Sequence, residues 1–366
     1  MRRQPQPTRR DLARELSLAS GAASDLVGRL RAARLVAERP APAQGPGRPT
    51  TSLYAHPEGP VVLALDLRHG DWRLAACGID GELELLAEGA HRATEAGAVV
   101  AQLREIVAQA AQSLGGRAVA VGVAVAGLVA GTRLLDAAVL HWRDVELSAL
   151  GAGLPLVAGN DATMAAVAEA RLHPAARALL HLVVEIGIGG AFVLAGRPVQ
   201  GAQGLAGEFG HLPIGDPNWV CGCGAHGCWG GLFDPGVVAA QLGEPEPDDA
   251  REWLRQLFET AEPSLTERRV RRGLAADLGR GTAGLVNALD PDAVTLGGLA
   301  GPLCDAAPAA FRRAFEAGLM NVHRCDAPEV VTGLAGENAV LVGVALAALD
   351  QLLDADRLAV WAGNAG

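Results

Sequence analysis

The sequence predicts an α/β protein made of two similar lobes behind a small winged-helix head. Three observations predict it. Residues 1–56 read as two short helices and a two-stranded wing, and they are strongly basic. From residue 61 onward, runs of apolar residues bounded by turn signals read as buried strands. The order of three strands followed by alternating helices and strands begins at residue 61 and starts again near residue 179.

At 366 residues the chain has room for two or three domains with cores of their own. Half of the residues are hydrophobic and 20% are charged, which excludes a disordered chain. Aromatic residues make up 4%, so the core has to be built from Ala, Val and Leu. No stretch reaches the roughly 20 uninterrupted apolar residues of a membrane span. Met1-Arg2-Arg3 is followed by Gln4 and Pro5 rather than by the apolar segment of a secretory signal. The expectation is a cytoplasmic protein without a membrane partner. Charge is placed unevenly. Residues 1–50 hold ten Arg and four acids, a net of +6, which leaves the rest near −16 within the total of −10. A basic head on an acidic body suits a head that meets a polyanion.

Residues 8–16 start at Thr8, a good N-cap, and place Leu12 and Leu16 on one helical face. Residues 20–34 give a second helix with Ser20 as its cap and Leu26, Val27 and Leu30 as its apolar side. Two short helices with a tight connection form a helix-turn-helix whose second helix is the reader. Residues 35–54 make the wing around Gly45-Pro46-Gly47. After Pro57-Glu58-Gly59-Pro60 come strands at 61–66, 72–79 and 82–87, a helix at 96–114, and strands at 118–126 and 155–158. A helix over 161–171 leads to strands at 179–184 and 190–195, a mostly helical region at 233–285, a strand at 293–299 and a last helix near 337–353. The expected domains are a head at 1–56, lobes at 60–160 and 161–336, and a segment at 337–366 that packs back on the first lobe. A ligand cleft between the lobes is the usual consequence of such a repeat.

The strongest local signal is His211 followed by Cys221-Gly222-Cys223-Gly224-Ala225-His226-Gly227-Cys228. Three thiolates and one imidazole complete a tetrahedral zinc site, and the interleaved glycines let a tight loop wrap the ion. With four protein ligands the Zn2+ is structural. His226 is an alternative fourth ligand. Cys77, Cys304 and Cys325 are isolated and read as ordinary core or surface residues.

Residues 201–211, Gly-Ala-Gln-Gly-Leu-Ala-Gly-Glu-Phe-Gly-His, together with the Cys cluster, resemble the signature of ROK proteins, a family of repressors and sugar kinases. The resemblance extends to Ala126-Gly127, His141-Trp142-Arg143, Gly159-Asn160-Asp161-Ala162, Gly187-Ile188-Gly189-Gly190 and Asn287 with Asp290-Pro291, and it covers roughly residues 60–350. It implies a two-lobed, actin-like (ribonuclease H-like) sugar-kinase fold. It also implies that Asn160, Glu208 and His211 contact sugar hydroxyls and that Asp161 is the family's catalytic base. The residue types suit that work, since carboxylates and an amide can bind vicinal hydroxyls and a metal-fixed His is pre-oriented. On their own, Asn160 and Asp161 could equally be the cap of the 161–171 helix.

This chain also departs from the family pattern. Where kinases carry Asp-x-Gly-Gly-Thr, it has Asp66-Leu67-Arg68-His69-Gly70, and Glu185-Ile186 precede Gly187 in the second phosphate loop. A carboxylate beside that loop repels phosphate, so the expectation is that kinase chemistry has been lost and that Asp161 only binds sugar. Gly230 stands where kinases carry Glu, and Ala126 where they carry Pro. In the head, family repressors have one more helix, and residues 1–7, with two Pro, are too short to supply it. The second helix begins Ala19-Ser20-Gly21-Ala22-Ala23-Ser24-Asp25, so Ser20 and Ser24 are the candidates to face base edges. Arg9, Arg10, Arg29 and Arg31 are candidates for phosphate, and Arg48 in the wing for the minor groove. The resulting expectation is a sugar-responsive DNA-binding regulator, a repressor by its resemblance, with an active ROK sugar kinase or a sugar sensor or scaffold that does not bind DNA as the alternatives. Its effector is a sugar or sugar phosphate, and it assembles as a homodimer or homotetramer on a symmetric operator.

Overall fold

The computed structural model describes residues 7–40, 51–91, 95–138, 140–352 and 355–364. They fall into two compact units. The first unit comprises Met1–Val123, Glu146–Val157 and Ala345–Gly366, and the second Ala124–Val145 and Ala158–Val344.

The first unit opens with α1 (Arg9–Glu15) and α2 (Ser20–Ala32). Thr8 caps α1 in a capping box with Asp11: its hydroxyl accepts the Asp11 amide, and the Asp11 carboxylate accepts the Thr8 amide. The expected side-chain cap on α2 is absent. Ala19 holds the N-cap position and Ser20 is already the first helical residue. Ala23 and Val27 are the buried residues of α2, four apart on one face. The antiparallel strands β1 (Val36–Pro40) and β2 (Thr51–Ala55) follow, and the tip between them, with Arg48, lies outside the described residues. The strands are tied to the helices through Glu38. Its carboxylate accepts two hydrogen bonds from Arg9 (2.5 and 2.6 Å), one from Arg31 (3.1 Å) and one from the Thr51 hydroxyl (3.1 Å).

Next come β3 (Val61–Leu67), β4 (Asp71–Gly78), β5 (Leu83–Ala90), α3 (Ala96–Ser113) and β6 (Ala118–Val125). Every residue of β3 is buried, as its apolar run requires of a central strand, and the one carboxylate in it, Asp66, is buried with the rest. The last two residues of β6 fall in the second unit, as do β7 (Leu128–Ala130), β8 (Arg133–Ala137) and β9 (Trp142–Glu146), apart from its final residue, in a small sheet of their own. Of the residues expected in the first lobe, 124–145 and 158–160 fall in the second unit. The strand β10 (Leu156–Asn160) joins the main sheet, whose order is β10-β6-β3-β4-β5.

The second unit continues with α4 (Asp161–Leu172), β11 (Ala178–Val184), β12 (Ile188–Leu194) and β13 (Arg197–Pro198). The helices α5 (Pro235–Leu242), α6 (Ala250–Glu259) and α7 (Leu265–Leu289) precede β14 (Ala293–Gly298). After them come α8 (Ala300–Ala306), α9 (Pro308–Gly318), α10 (Asn321–Cys325), β15 (Glu329–Thr332) and α11 (Ala339–Leu352), whose residues from Ala345 onward belong to the first unit. The order β13-β12-β11-β14-β15 repeats that of the first sheet, with β11, β12 and β13 antiparallel and β14 and β15 parallel additions. One large cluster forms the core here, including Leu180, Leu182, Trp229, Phe233, Leu274, Leu278 and Leu296. The final helix α12 (Ala355–Asn364) also belongs to the first unit, where the Trp361 indole donates to the Ala33 carbonyl (2.7 Å) at the end of α2.

Candidate functional site

The element 201–211 is shaped by glycines that leave no room for a side chain. A Cβ on Gly210 would lie 2.1 Å from the Ile188 carbonyl oxygen, and one on Gly190 would lie 2.5 Å from that of His181. Gly207 has φ +102°, a conformation that L side chains rarely adopt, and its missing Cβ would sit 2.9 Å from the Gly190 carbonyl oxygen. The backbone thus lies directly on β12. Phe209 packs against the core, while Glu208 and His211 come to the two ends of one 3-10 turn, Phe209–His211.

His211 faces two ways. Its Nδ1 is 3.7 Å from Cys221 Sγ, and its Nε2 is 3.8 Å from a Glu208 carboxylate oxygen. Cys223 Sγ and Cys228 Sγ are 3.7 Å apart, and the ligand atoms of His211, Cys221, Cys223 and Cys228 all lie within 4.8 Å of one another. Ligands about 2.3 Å from a tetrahedral ion sit about 3.8 Å apart, so the donor set and spacing fit a zinc-sized ion. His211, rather than His226, is therefore the fourth member. Gly224 (φ +90°) and Gly227 (φ +66°) make the bends of the loop, and the Cys221 amide donates to the Ala225 carbonyl across it. Burial pushes the Cys228 thiol up to about 12. The loop is anchored by Trp229, fully buried against α7 where Gly281 leaves space for the indole.

Asn160 caps α4: its Oδ1 accepts the Thr163 amide (3.0 Å) and its Nδ2 donates to the Gly127 carbonyl (3.1 Å). One Oδ1 lone pair and one N–H remain for a ligand. Asp161 is the first residue of α4, and its Oδ1 accepts the Ala162 amide (2.8 Å). Burial, and secondarily the Asp161 charge, raise the pKa of the Glu208 carboxyl above its ordinary value. Asn160, Asp161, Glu208 and His211 all belong to the second unit, where a sugar could meet two carboxyls, an amide and an imidazole.

The two departures that bear on phosphate also have partners. Asp66 is buried, and its carboxylate accepts a hydrogen bond from Arg68 (2.7 Å), while burial raises its pKa. The Glu185 carboxylate is paired with Arg251 on α6, through Nε and through Nη2 at 3.3 Å. Sequence reasoning missed Arg251, which is 66 residues from Glu185 and carries no local signal.

In the head, Arg10, Ser20, Ser24 and Arg29 are exposed, Ser20, Ser24 and Arg29 on α2 and Arg10 on α1. Arg9 and Arg31 instead converge on Glu38. Among the described residues no single helix is long and apolar enough to cross a membrane.

Residues 64–351 match the model of the ROK family. The chain belongs to the ROK family. An N-acetylmannosamine kinase of Citrobacter koseri is 34% identical over 199 residues, 52% of this chain and 67% of that protein. One from Salmonella typhimurium is 35% identical over 176 residues, 46% of this chain and 59% of the relative, so only part of such a kinase is matched. A ROK family transcriptional regulator, a homologue of the E. coli MLC protein, superposes with a TM-score of 0.76 at 22% identity, covering 98% of this chain and 95% of that one. A ROK hexokinase from Thermus thermophilus superposes at 0.63 and 29% identity, covering 80% of this chain and 99% of its own. The ROK chain has the α/β, two-lobed actin-like fold shared by these structures. The expectation of lost kinase chemistry is corrected here. Its curated relatives are named as sugar kinases, and the Glu185 charge that argued against phosphate is neutralised by Arg251.

Proposed function

We propose that this ROK protein is a sugar-responsive transcription regulator of the cytoplasm. The observation that carries the reading is a basic helix-turn-helix and hairpin preceding the ROK body, in a chain that follows a ROK regulator over 98% of its length. The likeness to the hexokinase spans 80%. Arg10, Arg29, Ser20 and Ser24 would meet DNA from the helices, with Arg9 and Arg31 held by Glu38 in one cluster beside them and Arg48 in the wing. Asn160, Asp161, Glu208 and His211 would bind the hydroxyls of a sugar or sugar phosphate. Zn2+ held by His211, Cys221, Cys223 and Cys228 would fix the imidazole, so that Nε2 faces Glu208 and the ligand. Two or four copies would present paired heads to a symmetric operator.

The deciding experiment is a salt titration of the full-length protein against DNA from its own promoter region and against a scrambled duplex. Sequence-selective binding that weakens when sugar is added supports the reading. Equal, weak binding to both duplexes at physiological salt removes it. A second reading, sugar phosphorylation, is favoured by Asp161 at the start of α4 beside Glu208, the place of the family's base, and by the kinases among its relatives. ADP release from ATP in the presence of N-acetylmannosamine tests it.

A further inference from the structure

Four arginines surround a cavity of about 250 Å³ in the second unit, at the start of α7 and the joint of α8 with α9. Arg268, Arg271, Arg272 and Arg313 line it together with Pro263 and the stretch Ala306–Ala310, and no acidic side chain does. None of them belongs to the sugar and metal site, and among the described residues none has an ion-pair partner within 4.0 Å. Arg268, Arg272 and Arg313 are exposed, and each spends its Nε on a backbone carbonyl, those of Pro263, Arg268 and Ala309.

Arg271 differs from the other three. It is only 4% exposed, and its Nη1 donates to the Thr260 carbonyl (3.1 Å), yet its buried Nε and Nη2 have no hydrogen-bond partner. Burial holds the guanidinium below its ordinary pKa. Leaving two buried donors of a cation unmatched is costly; the Glu267 carboxylate offsets part of that cost and the neighbouring Arg268 adds to it. The positive end of α9, an 11-residue helix with Pro308 at its start and no side-chain cap, lines the same cavity. A planar donor fork, three further guanidiniums and a helix N-terminus are the elements that recognise a phosphoryl group.

We infer that this cavity binds a phosphate monoester, a small phosphorylated metabolite whose phosphoryl oxygens take the unmatched Arg271 donors and whose charge is shared by Arg268, Arg272 and Arg313. Such a site gives the protein a second, anionic ligand, separate from the hydroxyl-binding residues at Asn160 and Glu208. A dianion matches a pocket with four cationic groups and no acid.

The test is calorimetric titration of the full-length protein with inorganic phosphate and with glucose 6-phosphate, using glucose and a short DNA duplex as controls. The double variant Arg272→Gln/Arg313→Gln alters exposed side chains and keeps the fold, while Arg271→Gln probes the buried fork. Saturable binding of both phosphate probes is expected. Each variant should weaken it by about tenfold or more, the ratio expected for losing one charge-assisted contact, with the binding of glucose unchanged. The inference is overturned if neither probe binds saturably, if the double variant binds them as tightly as the parent protein, or if only the duplex responds to the substitutions.

Discussion

Replacing Gly210 with Ala tests how the glycine-rich element sets the ligand site. The added Cβ would stand 2.1 Å from the Ile188 carbonyl oxygen and 3.2 Å from its carbon, against 3.4–4 Å for an ordinary contact. The obstacle is backbone, and it belongs to β12, which is paired residue by residue with β11 from Ala178↔Leu194 to Val184↔Ile188. The strand will not yield, so the 207–211 segment has to move by about 1 Å, taking Glu208 and His211 with it. A displacement of that size costs about a hundredfold where a ligand must be met in a set geometry. Overpacking itself costs about 1–3 kcal/mol of stability. Calorimetry with N-acetylmannosamine and with glucose, thermal unfolding and bound-metal content together read the result. Gly273→Ala on α7, where a Cβ meets nothing within 4 Å, is the control: it should leave sugar affinity and metal content unchanged and raise the melting midpoint slightly, as Ala for Gly inside an exposed helix stabilises by about 0.5–1 kcal/mol. Parental sugar affinity in Gly210→Ala would refute the claim that this close approach positions the site.

Other outcomes follow from separate parts of the molecule. Burial first, and His173 second, depress the pKa of His181 to about 4. A depressed folded-state value means that protons favour the unfolded chain, so stability is untouched above about pH 6.5 and falls from there down to about pH 4. Urea unfolding should show about 2 kcal/mol lost to this group between pH 7 and pH 5, and His181→Asn should lack that loss; parallel pH profiles would count against it. A strong chelator, or Cys223→Ser, should lower the melting midpoint and abolish sugar binding together, because the same imidazole touches Cys221 and Glu208. Sugar affinity that survives complete metal removal would uncouple the two. Glu38→Gln weakens bonds from Arg9, Arg31 and Thr51 at once, and, with both arginines partly exposed, should cost the head about 1–2 kcal/mol. Amide exchange in β1 and β2 should then speed up, and unchanged protection would show that the cluster contributes little.

Much of the site was legible in the sequence because its logic is short-range. The thiols and glycines of the 221–228 loop are close in the chain, and the structure gathers the three thiols with an imidazole within 4.8 Å of one another. Sequence left His211 and His226 as alternatives, and packing decided between them by laying 207–211 on β12. Asn160 could be read as cap or as sugar contact. The structure uses its amide as a cap and leaves a donor and an acceptor over, so the two readings are compatible.

By itself the sequence determined the repeated three-strand order, the basic head with its Thr8 cap, and the three cysteines of the metal cluster. These depend on periodicity, composition and spacing, which act within a few residues of chain. Only the tertiary structure decided that Glu185 is paired with Arg251, that residues 124–145 join the second unit, and that Arg271 is buried with two donors unmatched. Each of these depends on which distant elements share a core, and burial there alters the worth of a charge without leaving a mark in the local sequence.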